Sequence, residues 1–399
     1  MKLLLLFHRL PYPPNKGEKI RYFHFLKGLA DRHEIRVGCF AEPPDSAVDV
    51  GAVGQLCADL HVSWSSTIAR RTAYLRGMMT GAPLSMAAFD STSLQAWVDR
   101  TMQQTPVDCV LACSAAMGRF VLKAATRPRR FVMDFVDMDS DKWAQYASTA
   151  GWPVTAIYRR ESRLTLGVER AVAAAADASL LVSATEVEDF LRLVPEAKGK
   201  VHAVENGVDA DYYDPGRDYP TPFGPRDTAP IVFVGTMDYL PNVDAVGWFA
   251  RDVMPLIRAE RPDATFHIVG ARPSREVLGL RSLPGVSVTG AVPDVRPYVA
   301  WSSASVAPLR IARGIQNKVL EAMAMAKPVI VTPAALAGID ARPDIDVLLA
   351  STQADLARQV LRVLRDSSNR ELGRAARRFV LDHFLWKTKL QRLESLLSP

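Results

Sequence analysis

The sequence predicts an α/β protein made of two doubly wound domains, and three observations carry that expectation. Short apolar runs alternate with helical stretches along the whole chain, the pattern of parallel sheets covered by helices on both faces. The alternation is interrupted once, by the proline- and glycine-rich DPGRDYPTPFGPRDTAP (214–230), and then restarts. A length of 399 residues suffices for two domains that each bury a core.

The elements follow in order. The opening MKLLLLF imitates a signal peptide, but its apolar run ends after about six residues, at His8 and Arg9, with no small-residue cleavage site behind it. It reads as a first buried strand, 3–7. A helix is expected over 18–32 and a strand over 34–40, followed by strands at 107–112, 131–136 and 179–182. Beyond the interruption come strand 231–234, helix 243–258, strands 265–269, 286–289 and 305–308, helix 317–326 and strand 328–331. The expected division is a first domain 1–215, a linker 216–229, a second domain 230–379, and a terminal helix near 380–399 that crosses back onto the first domain. No uncharged run approaches the roughly 20 residues of a spanning helix.

Composition narrows the chemistry. Four scattered cysteines give no disulfide framework, and the C-x3-C of Cys109 and Cys113 lacks partnering histidines, so no zinc site is expected. No G-x-G-x-x-G follows a strand and no G-x-x-x-x-G-K-[ST] occurs, which disfavours dehydrogenases and P-loop enzymes. The net charge of +6 is unevenly placed. The window 64–89 holds Arg70, Arg71 and Arg76 with no acid, and 114–133 holds five basic residues with none. Such windows suit phosphate-rich partners or form a solvated basic face. The first window also carries Tyr74, Leu75, Met78 and Met79, as an interfacial helix would; the alternative is that these methionines are core.

The most informative stretch is RGIQNKVLEAMAMAKPVIVT (313–332). A loop at the carboxyl end of strand 305–308 leads through Gly314 into a helix starting near Asn317, and ligands of open α/β sheets bind at such ends. The helix start offers free N–H groups and a dipole that favours an anion, Gly314 lets a ligand approach the backbone, and Lys318 adds full charge. Glu321, three residues on, shares a helix face with Lys318 and is placed to accept hydrogen bonds from a ribose diol. Lysine, glycine and helix start would hold phosphates and the glutamate the ribose. The plainer alternative is a surface Lys–Glu pair contributing about 0.3–0.5 kcal/mol.

Several blocks then resemble a family. EAMAMAKPVIVT, VENGVDADYYDP (204–215) and PIVFVGTMDYLPNVDAVGWF are similar, in order, to the family-4 retaining glycosyltransferases of the two-domain GT-B type. FVMDFVDMDSDKWAQYAS resembles sugar transferases associated with exopolysaccharide and exosortase (PEP-CTERM) gene clusters. The resemblance covers nearly the whole chain. It implies two Rossmann-like domains facing across a cleft, a nucleotide-sugar donor on the second, and a glycan or lipid-linked acceptor on the first. It also implies no metal or other cofactor and no nucleic-acid partner. The two acid-free basic windows, with the apolar residues beside Arg70, Arg71 and Arg76, lead to the expectation of a cytoplasmic enzyme, peripheral at the inner face of an anionic membrane.

Two departures stand out. Arg313 occupies the position eight residues before Glu321 where many members carry a glutamate that grips the sugar. Thr236, Met237 and Asp238 follow Gly235 where many members place basic residues, so Arg310, Gln316 and Lys318 would supply that charge. The expected donor set is thus Gly17, Gly235, Thr236, Arg310, Gly314, Gln316, Asn317, Lys318 and Glu321. Gly17 enters through the loop HRLPYPPNKGEKI, which the resemblance turns toward the cleft, with His8 and Arg9 as further candidates. Asp137, Asp139 and Asp141 imitate a calcium loop, but Lys142 and Ser148 stand at its glycine and glutamate positions. One of these three aspartates is the candidate general base that orients the acceptor hydroxyl; a capped turn without chemistry is the alternative. Two alternatives to a transferase are a sugar-nucleotide 2-epimerase of the same fold and a non-catalytic sugar-nucleotide-binding adaptor.

Overall fold

In the first half of the chain seven strands form one parallel sheet: β1 (Lys2–Phe7), β2 (Glu34–Ala41), β3 (Asp59–Trp64), β4 (Cys109–Cys113), β5 (Phe131–Val136), β6 (Ala178–Leu181) and β7 (Val201–Ala203). Their order is β3-β2-β1-β4-β5-β6-β7. The computed structural model describes residues 1–65, 67–225, 227–312, 314–365 and 369–398. Arg313 and the side chains of Arg70, Arg71, Leu75 and Arg76 lie outside the described residues.

The central strand β1 is apolar throughout because helices cover both faces, and Leu3 to Phe7 are completely or almost completely buried. It pairs in register with β2 (Leu3 with Ile35) and with β4 (Leu3 with Cys109). The edges explain what the sequence reading lacked. β3 (DLHVSW) mixes polar and apolar residues because an edge strand is partly solvated, and β7 has only 3 residues.

The second half holds a six-stranded parallel sheet: β8 (Ala229–Val234), β9 (Ala264–Val269), β10 (Val286–Gly290), β11 (Ala304–Ala307), β12 (Val329–Val331) and β13 (Leu348–Leu349), in the order β10-β9-β8-β11-β12-β13. Its core includes the fully buried Phe233, Phe249, Phe266, Ile268 and Leu320. The helix expected over 243–258 begins earlier, at Leu240, and contains a π turn, Phe249–Val253, before continuing as Met254–Glu260. Pro255 accounts for the turn. It has no N–H for the carbonyl four residues back, so the ladder widens and Met254 N–H reaches the Phe249 carbonyl instead.

The chain divides into two compact units, Met1–Glu205 with Lys389–Pro399, and Asn206–Thr388. In the first, Leu390 of the last helix (Trp386–Leu397) lies against Gly28, and Glu394 pairs with Arg32 and His33. In the second, Tyr219 is buried and its carbonyl accepts the Trp301 indole N–H at 2.6 Å.

Each sheet order reverses once, between β1 and β4 and between β8 and β11. Loops leaving such a pair of strands part to opposite faces and open a crevice at the carboxyl ends. Each unit therefore has one topologically determined place for a ligand.

The first unit also buries a charge pair. Arg21 and Asp134 are both fully inaccessible; Arg21 Nε and Nη2 donate to the two Asp134 oxygens at 2.7 and 2.9 Å, and Nη1 donates to the Val204 carbonyl at 2.7 Å. Asp134 therefore lies within β5, where it ties that strand to the first helix, Gly17–Ala30.

Candidate functional site

The crevice of the second unit is built by the residues after β8, β9 and β11. Gly235 N–H donates to the Val269 carbonyl at 3.0 Å, and a Cβ on Gly270 (φ +150°) would sit 1.7 Å from the Gly235 oxygen. Only glycine allows the two loops to close on each other this way. Beside them stands Asn242, buried in the helix Leu240–Trp248. Its Nδ2 donates to the Thr236 carbonyl at 2.9 Å, and its Oδ1 accepts from Lys318 Nζ at 2.9 Å. The Lys318 ammonium also lies 5.1 Å from the Phe233 ring centroid. The expected residues Gly235, Thr236 and Lys318 are thus brought together, with Asn242 as the link that sequence reasoning missed.

Gly314, at φ +58°, takes the left-handed conformation, and Gln316 Nε2 donates to its carbonyl at 3.2 Å. Gln316 precedes the helix Asn317–Ala324 and makes no side-chain capping bond to it. Asn317 Oδ1 accepts from Asn206 Nδ2 at 3.4 Å. Glu321, three residues on, faces the same way as Lys318, and Tyr213 is close enough to favour its charged form.

Electrostatics set this pair apart from a solvated Lys–Glu pair. Burial pushes the Lys318 ammonium down to about 8, with Glu321 opposing. Burial pushes the Glu321 carboxyl up to about 7, with Tyr213 and Lys318 opposing. Both side chains stay partly exposed, so the desolvated charges border an open surface. Shifts of this origin at a strand-end crevice make the pair a candidate site.

Arg310 is placed differently. Its Nε donates to Asp244 Oδ2 at 2.9 Å, its Nη2 pairs with Oδ1, and its guanidinium lies 5.3 Å from the Trp248 ring centroid. Its charge is compensated by Asp244, which leaves Lys318 as the cation at the helix start among the described residues.

In the first unit the loop after β1 carries His8 and Arg9 and leads into the first helix at Gly17. A Cβ on Gly17 would meet nothing within 4 Å, so packing does not require glycine there. Arg9 pairs with Glu18 at 3.2 Å and with Glu42. His8 Nδ1 lies 3.0 Å from the Tyr22 hydroxyl, and burial pushes its imidazole down to about 4, so it is neutral at pH 7.

The aspartates follow β5, whose bulged end holds Val136 at φ +68°, a strained value for a β-branched residue. Asp139 opens the helix Asp139–Thr149; burial and then Asp137 push its carboxyl up to about 6, with Lys142, 3.6 Å away, opposing. His8 and Asp139 both feel Glu18 and Lys142, so this unit gathers its own two sets of candidates. Sequence reasoning missed Glu169, whose Oε1 accepts from Ser140 N–H at 3.1 Å and whose carboxyl burial pushes up to about 7. Among the described residues no three His, Cys, Asp or Glu are grouped to hold a metal ion, and no helix is long and apolar enough to cross a membrane. Met78 and Met79 are 54% and 88% exposed, which rules out the reading that they are core.

Residues 229–366 match the family model for glycosyl transferases group 1. No curated protein sequence gives a significant match. Among solved structures, the sucrose-phosphate synthase of Thermosynechococcus elongatus is 17% identical with a TM-score of 0.71, covering 99% of this chain and 98% of that one. Anabaena HepE, in complex with UDP and glucose, is 15% identical with a TM-score of 0.67 over 99% and 98%. A Rickettsia africae glycosyltransferase is 15% identical with a TM-score of 0.65 over 99% and 97%. The chain has the GT-B fold, and its second unit carries a glycosyl transferases group 1 domain.

Proposed function

We propose that this protein transfers a sugar, with retention, from a nucleotide-sugar donor to a glycan acceptor in exopolysaccharide synthesis. The observation that carries the reading is the partly buried pair Lys318 and Glu321 on one helix face at the crevice between β8 and β11. Lys318 and the start of helix Asn317–Ala324 bind the diphosphate, and Glu321 accepts the ribose hydroxyls. Gly235, Thr236, Gly314, Gln316 and Asn317 line the approach. The same groups stabilise the departing diphosphate, so the reaction takes no divalent metal and no cofactor. Complexes of HepE with UDP and with UDP-glucose support a nucleotide-sugar donor.

The acceptor belongs to the first unit, where Asp139, pushed up to about 6, suits proton transfer near neutral pH better than an ordinary carboxylate. A lipid-linked acceptor and a peripheral position on the cytoplasmic face of the membrane complete the reading. Arg313, standing where many relatives by resemblance carry a glutamate, keeps a non-catalytic adaptor as the second reading.

The test is a thermal-shift panel of UDP-, GDP- and ADP-sugars, followed by calorimetry on Glu321→Ala. A donor at 100 times its dissociation constant stabilises the fold by about 2.7 kcal/mol. Loss of the glutamate removes about 1.5–3 kcal/mol of binding. Unchanged affinity in a folded Glu321→Ala would falsify the ribose assignment. Turnover of donor without acceptor to an epimeric sugar nucleotide would make the protein an epimerase. Donor binding with no turnover on any acceptor would leave the adaptor.

A further inference from the structure

The block FVMDFVDMDSDKWAQYAS carries two aromatic residues, Trp143 and Tyr146, that the proposed chemistry does not use. With Asp139 they form one stripe of the helix Asp139–Thr149, because steps of four and seven residues return to the same face. This stripe is not the packing face. Ser140 and Ala147, about a quarter turn round the helix, are buried, whereas Asp139, Trp143 and Tyr146 are half-buried. Tyr158 of the next helix, Val154–Ala175, completes a cluster of three rings. Between centroids, Trp143 lies 5.5 Å from Tyr158 and 5.8 Å from Tyr146, and the two tyrosines are 5.9 Å apart. The Trp143 indole N–H and the Tyr158 hydroxyl make no hydrogen bond among the described residues, and neither is sealed from solvent.

The two helices form a hairpin that stands beyond the sheet. Ser140 N–H donates to Glu169 Oε1 at 3.1 Å close to the carboxyl end of β5. The part of Val154–Ala175 before Glu169, about 22 Å long, therefore projects past that end. Trp152, in the turn at the far end of the hairpin, is 88% exposed. Ligands of open α/β sheets bind at the carboxyl ends of the strands, which is where the hairpin starts. The rings sit between that turn and Asp139, with Trp143 about 6 Å along the helix axis from the aspartate.

We propose that Trp143, Tyr146 and Tyr158 form a subsite that stacks a sugar ring of the acceptor glycan beside Asp139. The inference rests on the reading of the first unit as the acceptor side of a glycosyltransferase, and it adds the residues that grip the acceptor. The C–H groups on one face of a pyranose carry slight positive charge, which packs on the negative face of an aromatic ring. The hydroxyls around the rim of the sugar need polar partners. An indole N–H and a phenol O–H at the edge of the cluster supply them. A phosphate would seek a cation instead. Lys142, the only basic residue of the helix Asp139–Thr149, is already engaged by Asp139 at 3.6 Å.

Saturation-transfer NMR tests the subsite with the methyl glycosides of glucose, galactose, mannose, rhamnose and N-acetylglucosamine. Calorimetry follows UDP-, GDP- and ADP-sugars on the same preparations. In the wild type at least one glycoside should bind, with saturation concentrated on the C–H protons of one ring face. Trp143→Leu keeps apolar bulk in the hairpin and removes the π face. Its affinity for that glycoside should fall roughly tenfold, the upper scale of one aromatic contact. Trp143→Phe restores a ring and should recover most of the loss. Tyr158→Phe removes only a hydroxyl and should weaken binding roughly threefold. All three variants should bind the donor as the wild type does.

Donor binding without any glycoside binding overturns the subsite and leaves the donor site standing. Glycoside binding that is unchanged in Trp143→Leu overturns it as well. An equal loss of donor and glycoside binding in Trp143→Leu marks a purely structural role for the cluster and also overturns it. No donor binding in the wild type defeats the transferase reading and this inference with it. If Trp143→Leu melts early, tetrafluorotryptophan at 143 keeps the ring and drains its π face. It should weaken glycoside binding, and an unchanged affinity overturns the inference.

Discussion

Lys318 Nζ lies 2.9 Å from Oδ1 of Asn242, a residue 76 positions earlier in the chain, and the other end of the same amide holds the Thr236 carbonyl. A buried amide satisfied at both ends fixes the position of a cation that would otherwise swing on four rotatable bonds. Asn242→Ala should therefore cost about 1–3 kcal/mol of stability, the scale of a buried polar group left unpaired. It should weaken nucleoside diphosphate binding as well. Urea unfolding and calorimetry on one preparation check both, and a variant that binds as wild type would show that Lys318 needs no such anchor.

The two desolvated charges predict a pH signature. Glu321, raised to about 7 from 4.5, contributes stability that is fully present below 4.5 and lost as pH rises through 7. Lys318, lowered to about 8 from 10.5, contributes stability that is present above 10.5 and lost as pH falls through 8. Both contributions are therefore smallest near pH 7–8. Relative to wild type, the double variant Lys318→Met/Glu321→Gln should gain stability between pH 5 and 7.5 while losing nucleotide binding. Denaturation midpoints of the two proteins across that range measure the difference, and parallel curves would remove the burial argument.

The pair Arg21–Asp134 should behave as a buried ion pair. Asp134→Ala strands a fully buried guanidinium and should cost about 3–5 kcal/mol. Arg21→Met/Asp134→Leu removes both charges and should recover most of that loss. If the single change costs less than about 1 kcal/mol, the pair does not hold β5 to the first helix.

A membrane contact should involve the first unit. Met79 and Trp152 are both 88% exposed, and Arg160 donates to the Gly77 and Ala82 carbonyls, which sets the helix behind Trp152 against the segment that carries Met78 and Met79. Exposed apolar residues among basic ones suit an anionic leaflet, where each basic residue contributes roughly 1 kcal/mol. The protein should sediment with anionic vesicles at low salt and be released at high salt. Arg70→Glu/Arg71→Glu/Arg76→Glu and Trp152→Ala should each weaken the association. No sedimentation at low salt ends the idea, and sedimentation untouched by the arginine changes assigns it to another element.

Transfer should survive EDTA. Activity lost to the chelator and restored by manganese would instead bring Asp139 and Asp141 forward as ligands.

The sequence alone determined the strands of both sheet centres, because a strand buried on both faces must be apolar throughout. It also determined that Lys318 and Glu321 share a helix face at a strand's carboxyl end, since a spacing of three residues fixes that locally. It did not reveal β3, β7 or β13, because an edge strand is half solvated or too short to show a period. Tertiary structure decided the rest of the site. Which loops meet depends on strand order, and the reversal between β8 and β11 is what sets Asn242 against Lys318. The same long-range packing brought Tyr213 to Glu321, gave Arg310 to Asp244 and desolvated His8. A side chain's partner across tens of residues, and the burial that shifts its charge, come from packing that no local period encodes.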